Sequence, residues 1–464
     1  MSTPIDRLST LDEFVFRVSA RWPQHIGALA ILDGASLLEP SGRFRIEPVL
    51  ETIGSRLHLV PRFRQVVHVP GRWLGRPLWA DAHHFDLTEH IRVHPLSAGS
   101  DEAELLSAVE RLRSEPMDPS RPLWQMWFLT GLSEGRVALF VRLHHAIADG
   151  MAAMTAVASL LDTSPDPAPA SAPAWTPASR PAARELLADS IQRHARSVAR
   201  TLSALIGPRT TLRNLRAAWP ALRELLAETP ATETSLDRMV GPHRELALIR
   251  TTLDAVKRVG HAHGATVNDV LLVATAGGLR TLLRSRGEPV EATTVRIYVP
   301  VSLRRGGRGP QQGNLIAQMA VPLPLAIAQA GVRLRRTATE TATRKARTRT
   351  SLGTLLRGRI ARRLMLMAVM RQRVNATSAS IPGPTEPLYL AGARVLEVYP
   401  VLPLVANEPL GVGALSYAGA FTIGIIADRD AFPDLDVLVA GMRDDLDALG
   451  VPTAPDPLVV SERR

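Results

Sequence analysis

Two adjacent histidines followed, three residues later, by Asp-Gly carry the clearest chemical potential of this chain: His144-His145-Ala146-Ile147-Ala148-Asp149-Gly150. An unperturbed imidazole titrates near pH 6.5, so it can take up and return a proton at neutral pH. Upstream, Val137, Leu139, Val141 and Leu143 alternate with Arg136, Ala138, Phe140 and Arg142. That period of two predicts a half-buried strand ending at the histidines. Downstream, Met151 to Leu161 is rich in Ala, Met and Leu and predicts a helix. Asp149 suits the cap of that helix. Two histidines at a strand end could simply be core residues. The full spacing at a strand–turn–helix junction points instead to a general base.

Other chemistry is less well placed. Gly131-Leu132-Ser133-Glu134-Gly135 has the spacing of a hydrolase nucleophile elbow, which needs a strand before the serine and a helix after it. Here a strand follows, so a surface turn is expected. His83, His84, His90 and His94 raise a metal question. Ile91 and Val93 alternate as in a strand and Pro95 follows, which argues against a helical ligand pair. Arg304-Arg305-Gly306-Gly307-Arg308-Gly309 could cradle phosphate or form a solvent loop, but it lacks the spacing and the Lys-Ser/Thr ending of a P-loop. No cysteine is present, so there is no thiolate nucleophile, disulfide framework or Cys-ligated metal.

With 464 residues and 45% hydrophobic content, the chain is long enough for two domains with separate cores. No apolar run approaches the ~18 residues of a membrane span; Leu364 to Met370 is far too short. No basic segment leads into an apolar one at the N-terminus, so no secretory signal is expected and a cytoplasmic location fits. The formal net charge is +11, almost all from arginine, with Lys257 and Lys345 the only lysines. A basic surface attracts anionic lipid, CoA phosphates or nucleic acid. The arginines lack the aromatic interleaving of a nucleic-acid binder, so no nucleic acid is expected.

The first folded segment is expected to span residues 1–162. Proline alternating with alanine and serine from Ser164 to Arg180 marks a semi-rigid linker. Leu187, Ile191, Val198, Leu202 and Leu205 then fall at helical spacing, so residues 163–240 read as linker plus helical connection. A second folded segment, 241–464, mixes strands at Val295–Val299 and Leu415–Ile426 with a helix over Val267–Leu283. Neither half shows the regular alternation of a doubly wound sheet.

The histidine motif resembles the active-site signature of CoA-dependent acyltransferases of the chloramphenicol-acetyltransferase type. Before it come Leu8-Ser9-Thr10-Leu11-Asp12, Pro23-Gln24-His25-Ile26-Gly27, Pro61-Arg62-Phe63-Arg64-Gln65, Phe85-Asp86-Leu87 and Arg121-Pro122-Leu123-Trp124. After it come Val267-Asn268-Asp269-Val270, Val299 to Arg304, Gly313-Asn314, Pro382-Gly383-Pro384 and Ala427 to Asp430. The ordered series is similar to the bacterial wax ester synthase/diacylglycerol acyltransferase family over nearly the whole chain.

That resemblance implies an α/β (α+β) fold of two chloramphenicol-acetyltransferase-like domains, with the active site in a channel between them. It implies transfer of a long acyl chain from acyl-CoA to diacylglycerol, and also to fatty alcohols. Acyl-CoA is then a substrate, and no cofactor or metal is expected. His145, second in the motif, would be the general base, and the acceptor oxygen would attack the thioester directly. His144 would assist or pack behind the strand. Asp149 would orient the loop, by pairing with an arginine. Asn268 is either a helix cap or a polar group beside the reacting carbonyl. Pro122, Leu123, Trp124, Asp269 and Gly150 are expected to help form the substrate site. The chain departs from the family pattern at Ser380-Ile381 and Gln24, which bears on acceptor choice. Alternatives left open are an acyltransferase for polyketide or sugar hydroxyls and a non-catalytic lipid-binding protein on the same fold.

Apolar substrates concentrate in membranes and lipid droplets, so peripheral attachment to an anionic surface is expected. The basic stretch from Arg333 to Arg373 is the candidate, with Arg357, Arg359, Arg362 and Arg363 beside Leu352, Leu355, Leu356, Ile360 and Leu364. Oligomeric state cannot be read from the sequence.

Overall fold

A computed structural model describes residues 5–167, 172–206, 232–302, 316–355 and 374–454. The Arg304–Gly309 loop, Gly313-Asn314, and Arg357 to Arg373 with the apolar run Leu364–Met370 lie outside the described residues.

Fourteen strands are described: β1 (His25–Leu32), β2 (Gln65–His68), β3 (Leu78–Asp81), β4 (Ile91–Ser100), β5 (Trp124–Leu132), β6 (Val137–His144), β7 (Arg244–Thr252), β8 (Val295–Ser302), β9 (Ile316–Leu323), β10 (Ala376–Pro382), β11 (Tyr389–Leu390), β12 (Ala393–Val401), β13 (Leu410–Tyr417) and β14 (Ala420–Asp428). They form two mixed six-stranded sheets, ordered β11-β12-β1-β6-β5-β4 and β7-β14-β13-β10-β8-β9, with β2 and β3 as a separate pair. The helices are α1 (Thr10–Val18), α2 (Ile46–Arg56), α3 (Glu102–Ser114), α4 (Gly150–Ala158), α5 (Ala183–Ile206), α6 (Leu253–Ala262), α7 (Val267–Ser285), α8 (Ala330–Leu355) and α9 (Leu435–Ala448). The fold is the expected mixed α/β one. Strands β11 and β12, drawn from the later part of the chain, complete the first sheet.

The strand leading to the histidines is not half-buried as its alternation suggested; every residue from Val137 to His144 is buried. Both faces of the first sheet are covered. Val137, Leu139, Val141 and Leu143 join a core with α2 and α4, while Ala138 and Phe140 face α3 on the other side. Arg142 looks polar in sequence yet is wholly buried. Its terminal nitrogen Nη1 donates to the carbonyls of Arg113 and Glu115, its guanidinium stands 4.9 Å over the Trp127 ring, and its Nε is buried without a hydrogen-bond partner.

Leu248 and Ile426 of the second sheet enter the core under α3, and Leu415 and Tyr417 enter the one under α4. Here β12 crosses very close to the second sheet. A Cβ at Gly413 would lie 2.8 Å from Pro400 Cγ, and one at Gly424 would meet the Pro400 carbonyl oxygen. Only glycine permits that approach.

The sequence-predicted helix at Val267–Leu283 is α7, and its inner face fills the second core with α6 and α9. Among the described residues no helix is long and apolar enough to cross a membrane. The basic face expected to begin at Arg333 needs correction at its start. Arg333 is buried, ion-paired with Asp445, and donates to the carbonyls of Ile327 and Ala328.

Candidate active site

The turn that follows β6 is fixed by main-chain bonds before any side chain acts. His144 N–H donates to the Leu123 carbonyl at 2.9 Å and His145 N–H to the Gln24 carbonyl at 2.8 Å. Helix α4 starts at Gly150 because Asp149 caps it, its Oδ1 accepting from Ala152 N–H at 2.9 Å. The cap holds the Asp149 carboxylate at the turn.

His144 is buried, and its Nδ1 accepts from Ala146 N–H at 3.0 Å. That bond makes Nδ1 the unprotonated nitrogen of a neutral ring. Burial, with the neighbouring His145 charge second, holds the pKa of His144 down to about 4. Its ring packs 5.8 Å from Phe16 and 6.1 Å, edge-on, from His25.

His145 is half-buried at the turn, and burial lowers its pKa below the usual histidine value. Three features oppose that shift: a ring hydrogen bond to its own main-chain carbonyl, then the charges of Asp149 and Asp12. The ring bond fixes the tautomer, because a carbonyl can only accept. The other ring nitrogen then carries the lone pair. His145 is thus a neutral acceptor with carboxylates poised to favour its protonated form.

Asp12 was not singled out as a site residue from sequence. It is buried on α1, where Ser9 N–H donates to its Oδ2 at 3.3 Å and its own N–H donates to Ser9 Oγ at 3.0 Å. Leu8, just before α1, packs with Ala146, and Phe16, one turn beyond Asp12, meets His144. The same face of α1 therefore lies against the histidine turn. The Ser9–Asp12 capping box was legible from spacing; its place beside His145 was not. His25 was also missed. It pairs across the sheet with His144, its Nδ1 is buried without a hydrogen-bond partner, and burial pushes its pKa to about 2.

Pro122, Leu123 and Trp124 are buried behind the turn. Trp124 is sandwiched between Phe63 at 4.7 Å and His90 at 4.6 Å, and its indole N–H donates to the Phe63 carbonyl at 2.8 Å. His90 is thereby a stacking residue, bonded through Nδ1 to the Trp124 carbonyl. Among the described residues no group of three or more His, Asp or Glu could hold a metal. Ser133–Gly135 is a short turn between β5 and β6, the wrong context for a nucleophile elbow.

Asn268 lies in the first turn of α7, on the second sheet's layer. Asp269 is buried in a capping box with Thr266 and also accepts from Thr341 Oγ1 of α8 at 2.6 Å. Oδ2 thus caps α7 through Thr266, while Oδ1 ties α7 to α8.

Alongside the turn lies a partly open cleft with almost wholly apolar walls. Gly150, Ala153, Met154, Val157 and Leu161 line it from α4 and the turn that follows. The first sheet supplies Gly27, Val141 and Val398, and the second supplies Ile381, Leu415 and Tyr417. A Cβ at Gly150 would lie 3.1 Å from Ile381 Cδ1, so the motif glycine and the departure at Ile381 meet at this cavity.

The family model for the wax ester synthase/diacylglycerol acyltransferase catalytic domain matches residues 8–271, and the model for the C-terminal domain of that family matches residues 312–450. The chain belongs to this family. It is an acyltransferase. A protein of Mycobacterium tuberculosis named a probable diacylglycerol O-acyltransferase is 30% identical over 437 residues, covering 90% of this chain and 89% of that protein. Among solved structures, the wax ester synthase/diacylglycerol acyltransferase of Marinobacter aquaeolei superimposes with a TM-score of 0.67 at 24% identity, covering 96% of this chain and 98% of the other. A starter condensation domain of rhizomide synthetase, solved with C8-CoA, gives 0.61 at 15% identity, covering 96% and 94%. These likenesses confirm the fold: the two-domain architecture of the chloramphenicol-acetyltransferase type.

Proposed function

We propose that this acyltransferase moves a long acyl chain from acyl-CoA to the free hydroxyl of diacylglycerol, making triacylglycerol, and that fatty alcohols serve as further acceptors. The observation that carries this reading is the apolar cleft flanked by α4, the helix that the histidine motif itself starts. Its walls favour hydrocarbon over a polyketide or sugar hydroxyl.

His145 accepts the hydroxyl proton as the acceptor oxygen bonds to the thioester carbonyl carbon. The tetrahedral intermediate collapses with cleavage of the C–S bond, and the thiolate leaves as CoA after taking the proton from His145. No acyl-enzyme forms, and the two substrates supply all the atoms. Asp149 and Asp12 stabilise the imidazolium between these steps. Asn268 is proposed as a polar group beside the reacting carbonyl, and His144 as packing that sets the orientation of the turn. Lipid substrates are drawn from a membrane or droplet surface by peripheral attachment.

The test is CoA release from one long-chain acyl-CoA across a panel of diacylglycerols, fatty alcohols and polar hydroxyl compounds. Turnover should favour the first two groups. His145→Ala should lower it by about 10²- to 10⁴-fold with unchanged melting. Near wild-type release by folded His145→Ala would refute the base, and a preference for polar acceptors would refute the substrate class.

A further inference from the structure

Three neighbouring elements leave large apolar side chains in solvent close to the histidine turn. On α1, the face bearing Asp12 and Phe16 turns inward, while Leu11 and Phe14 are exposed. On the loop between β2 and β3, Val69 is exposed and Trp73 is 83% exposed. On α5, Leu186 and Ser190 are buried, whereas Leu187, Ile191 and Val198 follow one another at helical spacing on an exposed side, with Ile191 at 61%.

These elements are fastened together. Arg7 donates to the Arg76 carbonyl of the loop and to the Leu186 carbonyl of α5, and it pairs with Asp189 at 3.0 Å. Arg76 donates to Thr10 Oγ1 of α1 at 2.6 Å, and Arg193 of α5 reaches the Ile5 carbonyl at 3.3 Å. Trp73 adopts φ 74°, a left-handed conformation that bulky residues rarely accept. Backbone strain of this kind persists where surrounding structure enforces it and is often tied to ligand contact. Around the apolar side chains stand five exposed arginines, Arg72, Arg76, Arg184, Arg193 and Arg196, against two exposed acids, Glu185 and the Arg62-paired Asp6, with Glu13 and Asp189 half-buried in ion pairs.

We infer that this face of α1, the β2–β3 loop and α5 docks the protein on an anionic phospholipid surface. Exposed apolar groups ringed by arginine match the two layers of such a surface, acyl boundary and phosphate, and tryptophan is suited to the boundary between them. Charge selects this occupant over a second copy of the same basic chain. The inference extends the reading that substrates come from a lipid surface. It differs from that reading in being tested by binding rather than turnover, so either can fail alone. It also places the bilayer next to α1, one helix away from His145.

The experiment is co-sedimentation of the full chain with phosphatidylcholine vesicles and with phosphatidylcholine–phosphatidylglycerol vesicles. Wild type should bind the anionic vesicles, and salt should release it. Trp73→Ser, and separately Ile191→Ser with Val198→Ser, should each weaken partitioning about tenfold or more. Arg72→Gln with Arg184→Gln should weaken it roughly fivefold per arginine. His145→Ala should bind like wild type. Melting and gel filtration check the fold of each variant, and the loop and helix variants are independent should one fail to fold. Binding unchanged in the folded variants, no binding by wild type, or a dimer that these variants dissociate would each overturn the inference.

Discussion

Filling the apolar cavity from α4 should shorten the acyl chain that the enzyme accepts. Ala153 is buried on the cavity side of α4, between Gly150 and Val157 on the same wall. Ala153→Leu adds three carbons to that wall and displaces about three methylenes of a chain lying there. Each buried methylene is worth about 0.8 kcal/mol, so the longest chain that fits should lose about 2.4 kcal/mol of binding, about sixtyfold in kcat/KM. Chains shorter by three or more carbons should react as before. The assay is CoA release with one acceptor and saturated acyl-CoAs of graded length. Because the new side chain enters existing space, melting should not fall as it does when a filled core is overpacked. An equal loss at every chain length would mean that α4 had been displaced. An unchanged profile would mean that the acyl chain does not enter this cavity.

Asp149→Ala removes the α4 cap and should cost about 0.5–2 kcal/mol of stability, read by denaturant unfolding, together with activity; a variant with unchanged stability but no turnover would show a role other than holding the turn. Asp12→Asn removes a charge that favours protonated His145, so the acidic limb of the rate profile should move to lower pH and the plateau should fall, as followed by CoA release across pH; an unmoved limb would refute the coupling. His25 and His144 have folded pKa values of about 2 and about 4, below the 6.5 of an ordinary histidine. The unfolded chain therefore binds more protons through that window, and the contribution of both groups is complete above about pH 6.5 and declines as pH falls toward the folded values, by up to about 1.4 kcal/mol per unit for each. Melting temperature should drop between about pH 7 and about pH 5, and a flat profile would refute the burial of neutral rings.

The local elements around the motif were legible because their cause is local. The strand, the Asp149 cap, α4 and α7 follow from alternation, capping chemistry and helix composition near their own residues. What could not be read depends on tertiary layers. The alternation of β6 predicts one wet face, but α3 covers that face and Arg142 is buried against the carbonyls of Arg113 and Glu115. Neither partner can be inferred from the strand. Completion of the first sheet by β11 and β12 depends on contacts far apart in sequence, and so does the meeting of Gly150 with Ile381. The ordered motifs were visible as a family resemblance, yet no spacing placed Asp12 near His145 or His25 beside His144. The stretch from Arg333 looked uniformly basic, but Arg333 is tied to Asp445 on α9. Charge counted along a chain does not tell which side chains reach solvent.

Burial and charge act against each other at His145, and that opposition is what the proposed reaction needs. A histidine merely pushed down by desolvation would stay neutral at working pH but would be a weak base, because its conjugate acid would find no support. One paired strongly with a carboxylate in water would be protonated more of the time and unable to accept. Here burial is the largest influence and keeps the ring neutral, while the ring's bond to its own carbonyl, Asp149 and Asp12 support the cation. The two carboxylates are themselves held: Asp149 by its cap to Ala152, Asp12 by Ser9. They need not reorient when charge appears on the ring, and fixed groups aimed at a developing charge act without the reorganisation that water requires. The scaffolding bonds at the ends of α1 and α4 are thus part of the electrostatics of the turn, and so a cap variant should lose stability and turnover together.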